Sequence, residues 1–194
     1  LGVPEYGHDF VRIGDAGNRS TIPGVESPGP RPIGAVGYEY RLARTEVTSA
    51  QQFEFLQAYD PFMNSSDRRG WGDVSYVLGE WSLAVGDDNK AAVMSPRLWM
   101  RYCNWLHNDK ALTADAFESG AYDASTFGED NAGNLTDQMT RSEGAQFWIP
   151  SLDEWIKGGY WDPNRYGEDE GGYWLYPNAS DEPSIQDIPG VQEG

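Results

Sequence analysis

Cys103 and His107 are the first residues to consider for catalysis, because side chains four positions apart on a helix share one face. A cysteine nucleophile needs a base, and that base must itself be oriented by a third group. The chain has 1 cysteine, so it supplies no internal disulfide and no two-cysteine redox or zinc site. Free cysteine is among the most buried residue types. We therefore predict a buried structural thiol and assign no catalytic residue.

An acidic stretch from Asp162 to Glu170 has the residue types that bind calcium. Its first, third, seventh and ninth positions carry oxygen ligands and its sixth is glycine, as in part of an EF-hand loop. The fifth position lacks a ligand, and Tyr173 stands where the bidentate glutamate belongs. A solvated acidic loop is the alternative interpretation. The candidate calcium ligands are Asp162, Asn164, Glu168 and Glu170.

Asn-x-Ser/Thr triplets point to a second kind of modification, N-glycosylation. They occur at Asn18, Asn64, Asn134 and Asn178, which are four of the chain's asparagines. All four fall in predicted loops, where a glycan would be accommodated. We predict a glycoprotein, provided that the organism exports the chain and has the glycosylation machinery.

Composition limits the class of protein. A chain of 194 residues has the length of one domain, and we predict a single domain over residues 1–194. It contains 8 Trp, 11 Tyr and 7 Phe, which predict an aromatic interior, while 23 Gly and 12 Pro predict a loop-rich fold. The net charge of −17 argues against nucleic acid and anionic membrane surfaces as partners. No apolar run approaches the ~20 residues of a membrane span.

Three helices are predicted from their start signals. Thr48 with Gln51 forms a capping box for a helix ending near Tyr59, and Ser95-Pro96 starts a second helix that runs to about Asn108. In the stretch 146–156, a short buried strand stops at a proline and a second capping box opens a third helix. We expect Trp155 and Ile156 to continue the apolar face of that third helix and Gly158-Gly159 to end it.

Short strands are predicted between these helices. They lie at 10–13, 38–43, 74–78 and 172–176, with a further short strand at 121–122. The Gly/Pro/Ser-rich loop 14–37 is too poor in apolar residues to be a core element. Together these elements predict an α+β fold with about three helices and short antiparallel strands.

Four segments resemble the formylglycine-generating enzyme (sulfatase-modifying factor) domain family. The segment 40–56 is similar to the entry into that family's first helix, and 99–106 is similar to its second helix. The segment 147–155, with Pro150-Ser151, resembles its strand, turn and third helix, and 172–177 resembles its aromatic-Pro strand. The resemblance covers residues 9–180, and residues 181–194 form a polar tail.

The resemblance implies a loop-rich, C-type-lectin-like α+β domain. Catalytic members carry a copper-binding cysteine pair in their C-terminal third, and this chain stops at Gly194 before the matching segments. Family members also bind calcium, mainly through residues beyond that point. We therefore expect the chain to be the front part of a longer or split polypeptide whose remainder is a possible partner.

Two functions of different classes remain open. The first is a secreted, non-catalytic lectin-like binding or structural module of an extracellular or surface assembly, with a protein partner, sister subunits or a glycan as ligand. The second is a formylglycine-generating oxidoreductase that acts on a substrate cysteine through copper, with its cysteine pair on a missing C-terminal segment. We favour the binding module, because the chain has no reacting group. The first residue, Leu1, is not Met, as expected if an upstream segment has been removed.

Overall fold

The computed structural model describes residues 2–183, and its contacts divide them into two compact units. Unit 1 comprises residues 2–9 and 43–149, and unit 2 comprises residues 10–42 and 150–183. Each unit is built from two separate stretches of chain. Most of the predicted polar tail, from residue 184 onwards, lies outside the described residues, and the single domain over 1–194 stays a prediction.

The described residues form four α-helices and three pairs of short strands. The helices are α1 (Ser49–Tyr59), α2 (Pro96–His107), α3 (Ala114–Glu118) and α4 (Leu152–Tyr160). The strands are β1 (Phe10–Ile13), β2 (Tyr40–Ala43), β3 (Val74–Val77), β4 (Glu80–Leu83), β5 (Trp161–Asp162) and β6 (Gly172–Tyr173), paired in that order as two-stranded sheets. This confirms the predicted loop-rich α+β class, with one helix more than expected. Each of these helices is too short to cross a bilayer.

The two long helices of unit 1 begin where their capping residues predict. Thr48 accepts a hydrogen bond from the backbone N–H of Gln51, whose side chain accepts in return from the Thr48 N–H, so the capping box of α1 is complete. Ser95 caps α2 by accepting a hydrogen bond from the backbone N–H of Leu98, without a reciprocal side-chain bond, and Pro96 occupies the first helical position. These local contacts satisfy backbone donors that a helix start otherwise leaves unpaired.

An aromatic cluster holds α1, α2 and α3 together in unit 1. Phe55 lies at its centre, fully buried, with ring centres of its neighbours 5.4 to 6.2 Å away. These neighbours are Tyr59, Tyr102, Trp105 and Phe117. Tilted and edge-on arrangements predominate, which suits the ring quadrupoles. The prediction of an aromatic interior is confirmed for this unit.

The β3–β4 hairpin carries an exposed apolar tip. Its strands are antiparallel, and Tyr76 and Trp81 face each other with ring centres 4.7 Å apart. The two residues of the turn, Leu78 and Gly79, both have positive φ, at 55° and 90°. That combination is typical of a type I′ hairpin turn, in which leucine is an unusual first residue. The Leu78 side chain is fully exposed.

Two strand predictions are wrong, and three others are too long, since β2 begins only at Tyr40, β3 ends at Val77 and β6 ends at Tyr173. Residues 147–149 and 121–122 have no strand structure, while β6 covers only the first two residues of the predicted 172–176 strand. The Ile149 N–H donates to the hydroxyl of Tyr122 at 3.1 Å, and the Gln146 N–H donates to His107 Nδ1 at 3.1 Å. Side-chain acceptors therefore take the place of a strand partner in this segment.

The third predicted helix starts as expected but presents a different face. Ser151 and Glu154 form the complete capping box of α4, which continues through Gly158-Gly159 to Tyr160. Trp155 does not extend a buried apolar face, since 53% of it is exposed, whereas Glu154 and Lys157 are buried. The expectation for Trp155 is therefore wrong.

The loop 14–37 of unit 2 also differs from the prediction, because it contributes to the interior. Its buried residues are mostly polar, which is why an apolar pattern could not reveal them: Asn18, Thr21, Glu26, Ser27 and Val36. Each buried polar group among them needs hydrogen-bond partners, so this loop is fixed by polar contacts.

Candidate ligand-binding cleft

The sequence-predicted thiol is structural. Cys103 is buried on α2, and burial raises its pKa to about 12, so the thiolate is rare at neutral pH. His107 Nδ1 accepts the hydrogen bond from Gln146 described above, which gives the imidazole a separate role. The prediction of a buried thiol is confirmed.

The proposed calcium loop is organised largely by its own side chains. Asp162 Oδ1 accepts from the Asn164 N–H at 2.9 Å, and Asp162 Oδ2 accepts from the indole of Trp174 at 3.2 Å. Asn164 Oδ1 accepts from the Asp169 N–H at 3.1 Å. Glu168 and Glu170 are exposed. Within residues 2–183 there is no group of three or more His, Cys, Asp or Glu side chains placed to hold a metal ion, and calcium stays a prediction.

The glycosylation candidates fall into two groups. Asn64, Asn134 and Asn178 are exposed, and Asn134 donates to Asp130 Oδ2 at 2.9 Å. Asn18 is buried: its amide nitrogen donates to the carbonyl oxygens of Arg19 and Gly34 and contacts the Tyr173 hydroxyl. An attached glycan would break all of these contacts, so in the folded protein Asn18 is a structural amide, contrary to the expectation of an open acceptor.

An open cleft of about 490 Å³ lies in unit 2, between the loop 14–37 and the chain that follows β5. Its lining is mainly polar, with one indole ring, and consists of Asp15, Asn18, Arg19, Trp161, Pro163, Asp169, Glu170 and Gly171. We call this the unit 2 cleft. It brings Glu170, one of the predicted site residues, together with residues that sequence reasoning missed.

Trp161 is held at the wall of the unit 2 cleft by three neighbours. Its indole N–H donates to Asp15 Oδ2 at 2.6 Å, and its ring meets that of Tyr173 edge-on at 4.9 Å. A methyl group on Gly171 would overlap the Trp161 ring, so glycine is needed where the backbone passes against the indole. The ring orientation is therefore fixed before any ligand arrives.

An ion pair joins Arg19, which lines the cleft, to the buried carboxylate of Glu26. Glu26 has a fully buried side chain and accepts both guanidinium arms of Arg19 at 2.6 Å, in the bidentate geometry. Backbone N–H groups of Ile22 and Tyr173 and the hydroxyl of Tyr166 also donate to Glu26. Burial alone would raise the pKa of Glu26, but these hydrogen bonds, led by Arg19, lower it to about 2.

The charge that the unit 2 cleft presents to a ligand is negative. Its one cation, Arg19, is neutralised by Glu26 and also donates to the Gly171 carbonyl at 3.1 Å. Three carboxylates line the same cleft, those of Asp15, Asp169 and Glu170. Asp15 accepts the indole N–H, whereas no side-chain hydrogen bond or ion pair reaches the carboxylates of Asp169 and Glu170 from the described residues. Those two carboxylates are acceptors available to a ligand.

The local sequence gives no sign that these residues meet. Asp15 and Trp161 are 146 positions apart and lie in segments with no shared motif. The one local signal is the triplet at Asn18, and that signal indicates glycosylation and not a cleft. Only the fold brings the two stretches of unit 2 together.

Comparison with protein-family models, with curated proteins and with solved structures found no match to this chain. The resemblance to sulfatase-modifying factor domains thus rests on the four sequence segments alone.

Proposed function

We propose that this chain is a secreted, non-catalytic binding module of the sulfatase-modifying-factor-like kind and that the unit 2 cleft binds the sugar residues of a glycan. The ligand is a neutral or amino sugar displayed in an extracellular or cell-surface assembly. The observation that carries the proposal is the pairing, in one open cleft, of a fixed indole ring with two carboxylates, Asp169 and Glu170, that no side chain within residues 2–183 contacts by a hydrogen bond or ion pair.

Sugars suit this combination because each ring has an apolar face and a rim of hydroxyl donors. The partly exposed indole of Trp161 offers apolar surface with no conformational cost, since Asp15 already holds it. The carboxylates of Asp169 and Glu170 accept hydrogen bonds from hydroxyl or ammonium groups. A few placed polar groups beside an aromatic wall are typical of small-molecule sites.

Charge selects among glycans. The carboxylates that line the unit 2 cleft repel sulfated or carboxylated sugars, and the formal net charge of −17 adds to this repulsion at low salt. An amino sugar gains an ion pair at the same position, whereas a neutral sugar gains only hydrogen bonds. The expected order of affinity is amino sugar, then neutral sugar, then anionic sugar.

The buried state of Cys103 supports a binding role over thiol chemistry. Its pKa of about 12 leaves almost no thiolate at neutral pH, and a thiolate is the form that attacks a substrate or binds copper. The alternative oxidoreductase would therefore need thiols other than Cys103.

Isothermal titration with three oligosaccharides of equal length tests the proposal: one of glucosamine, one of N-acetylglucosamine and one derived from heparin. We expect heat from the first two and none from the third. The double variant Asp169→Asn/Glu170→Gln should weaken the glucosamine oligomer at least tenfold, because it removes both carboxylate acceptors.

The control is the double variant Asp88→Asn/Glu143→Gln, which removes the same formal charge at exposed positions of unit 1 that do not line the unit 2 cleft. It should bind as the wild type does. Equal weakening in both double variants would mean that net charge alone causes the effect, and it would contradict a binding role for Asp169 and Glu170. Heparin binding as tight as glucosamine binding would also overturn the proposal.

A further inference from the structure

Helix α4 buries charged residues and exposes apolar ones, which is the reverse of an ordinary surface helix. Its charged residues Glu154 and Lys157 are each 1% exposed, whereas Leu152 is 61% and Trp155 is 53% exposed. A surface helix normally buries its apolar stripe and exposes its charges. The reversal leaves a large aromatic side chain and an aliphatic one in solvent.

The buried charges fix this orientation. Glu154 accepts from the Ser151 N–H at 2.7 Å and from the Tyr38 hydroxyl at 2.8 Å, and Lys157 Nζ donates to the Asp15 carbonyl oxygen at 2.8 Å. Rotating α4 to bury Trp155 would break these bonds and strand two ionisable groups. The outward apolar face is thus imposed by the rest of unit 2.

The exposed residues form one continuous stripe. Leu152, Trp155, Ile156 and Tyr160 recur at the three- and four-residue spacing of one helix face. Ile156 and Tyr160 are partly exposed, and the rings of Trp155 and Tyr160 lie side by side with centres 5.8 Å apart. We call these four residues the α4 stripe. Paired Trp and Tyr side chains are the residue types that dominate binding energy in protein interfaces.

The segment that carries the α4 stripe, residues 150–183, exposes charges of one sign. Between residues 150 and 183 the only basic residues are Lys157 and Arg165, and both are buried, with 1% of Lys157 and 6% of the Arg165 side chain exposed. The acids of the same segment include the exposed Asp153, Glu168, Asp169, Glu170, Asp181 and Glu182. This segment therefore joins an apolar stripe to exposed acids, of which Asp153 lies on α4 itself, while the exposed bases of unit 2 belong to the stretch 10–42.

We propose that the α4 stripe is a docking site for a separate protein partner that presents an apolar segment flanked by lysine or arginine. The apolar segment covers Leu152 and Trp155, and the flanking cations meet exposed carboxylates such as that of Asp153 on the same helix. Charge complementarity selects this occupant, because a second copy of the chain would bring another −17 charge to the same interface. The site is independent of the glycan proposed for the unit 2 cleft.

Site-directed photocrosslinking tests the docking site. A benzophenone amino acid replaces Leu152 in the full chain, which leaves Trp155 in place as the anchor. The matched control carries the same group at Leu112, an apolar residue of unit 1 that is 67% exposed. After irradiation in the secreted fraction of the producing cells, the crosslinked peptide is identified by mass spectrometry and then synthesised.

We expect a peptide specific to position 152, from another protein, with an apolar centre and at least two flanking basic residues. The synthetic peptide should bind the wild-type chain, and Trp155→Ser should weaken it at least tenfold while leaving sugar binding unchanged. No crosslink above the Leu112 control, a peptide from a second copy of this chain, or an acidic peptide would each overturn the proposal.

Discussion

Asn104 and Tyr122 are joined by two hydrogen bonds in opposite directions, the pattern that two strands would otherwise provide. The Tyr122 N–H donates to Asn104 Oδ1 at 2.7 Å, and Asn104 Nδ2 donates to the Tyr122 carbonyl at 2.9 Å. The same amide nitrogen also donates to the Phe117 carbonyl at 2.9 Å. A single buried amide thus pairs the backbone of a loop that has no sheet to join.

The side-chain amide of Asn104 should contribute far more to the free energy of unfolding than the amide of an exposed asparagine. Asn104→Ala removes three hydrogen bonds and leaves buried backbone groups of Phe117 and Tyr122 unpaired, so we expect a loss of about 3 kcal/mol in the free energy of unfolding. Urea denaturation followed by tryptophan fluorescence measures it. Asn131→Ala, at an exposed position, should change the free energy by less than about 0.5 kcal/mol. Equal effects would contradict the role given to this amide.

The parts of the fold that sequence could predict are those fixed by neighbours along the chain. Thr48 with Gln51 and Ser151 with Glu154 predicted two helix starts correctly, because a capping box lies within four residues. The false strand at 147–149 has the composition of a strand, but its backbone donors find distant side chains. Composition indicates which type of secondary structure a segment resembles, but it does not indicate which acceptors the backbone N–H groups of that segment will find.

The same limit explains the orientation of α4 and the unit 2 cleft. The capping pattern predicted where the helix begins but not which of its faces is buried. Lys157 is buried because it donates to the Asp15 carbonyl, and that partner lies 142 positions earlier in the chain. Asp15 also places Trp161 in the cleft. One loop residue thus governs both features, and nothing in its local sequence indicates this.

A substitution in the turn of the β3–β4 hairpin should raise the free energy of unfolding. Leu78 has φ of 55°, a conformation that costs most residues about 1 kcal/mol and that asparagine tolerates. Leu78→Asn creates an Asn-Gly turn and removes a fully exposed apolar side chain, so we expect unfolding to cost about 1 kcal/mol more. Thermal denaturation gives the comparison. Leu112→Asn, at an exposed position where no positive φ is found, should leave the midpoint unchanged.

Alanine substitutions at three glycines of the loop 14–37 should distinguish the cost of backbone strain from that of steric overlap. Gly34 has φ of +91° and lies so close to Tyr173 that an added Cβ would be 2.6 Å from its hydroxyl. Gly24 has φ of +76° with open space around it, and Gly37 has neither restriction. Substitution by alanine should cost nothing at Gly37, about 1 kcal/mol at Gly24 and clearly more at Gly34.

Denaturant unfolding of the three alanine variants supplies the measurement. The order of the three losses is the critical result, because overlap with Tyr173 adds to strain only at Gly34. A Gly34 variant as stable as the Gly24 variant would mean that the Tyr173 ring moves aside without cost.

Cys103 should be unreactive in the folded protein. Its burial raises the pKa to about 12, so a disulfide reagent at pH 8 should modify it many times more slowly than free cysteine. In denaturant the same reagent should titrate one thiol per chain, matching the 1 cysteine of the sequence. Rapid modification of the folded chain would remove the main support for a non-catalytic role.

The Arg19–Glu26 pair should make the free energy of unfolding depend on pH. The folded pKa of Glu26 is about 2 against 4.5 for the free carboxyl, so its contribution is complete above pH 4.5 and disappears as pH falls towards 2. A difference of this size corresponds to about 3 kcal/mol at neutral pH. Glu26→Gln should therefore be much less stable than the wild type at pH 6, with the gap narrowing on acidification. Glu143→Gln, at an exposed site, is the control. If the Glu26 variant does not fold, a ¹³C NMR titration of the Glu26 carboxyl in the wild type measures its pKa directly. A midpoint near 4.5 would contradict the prediction.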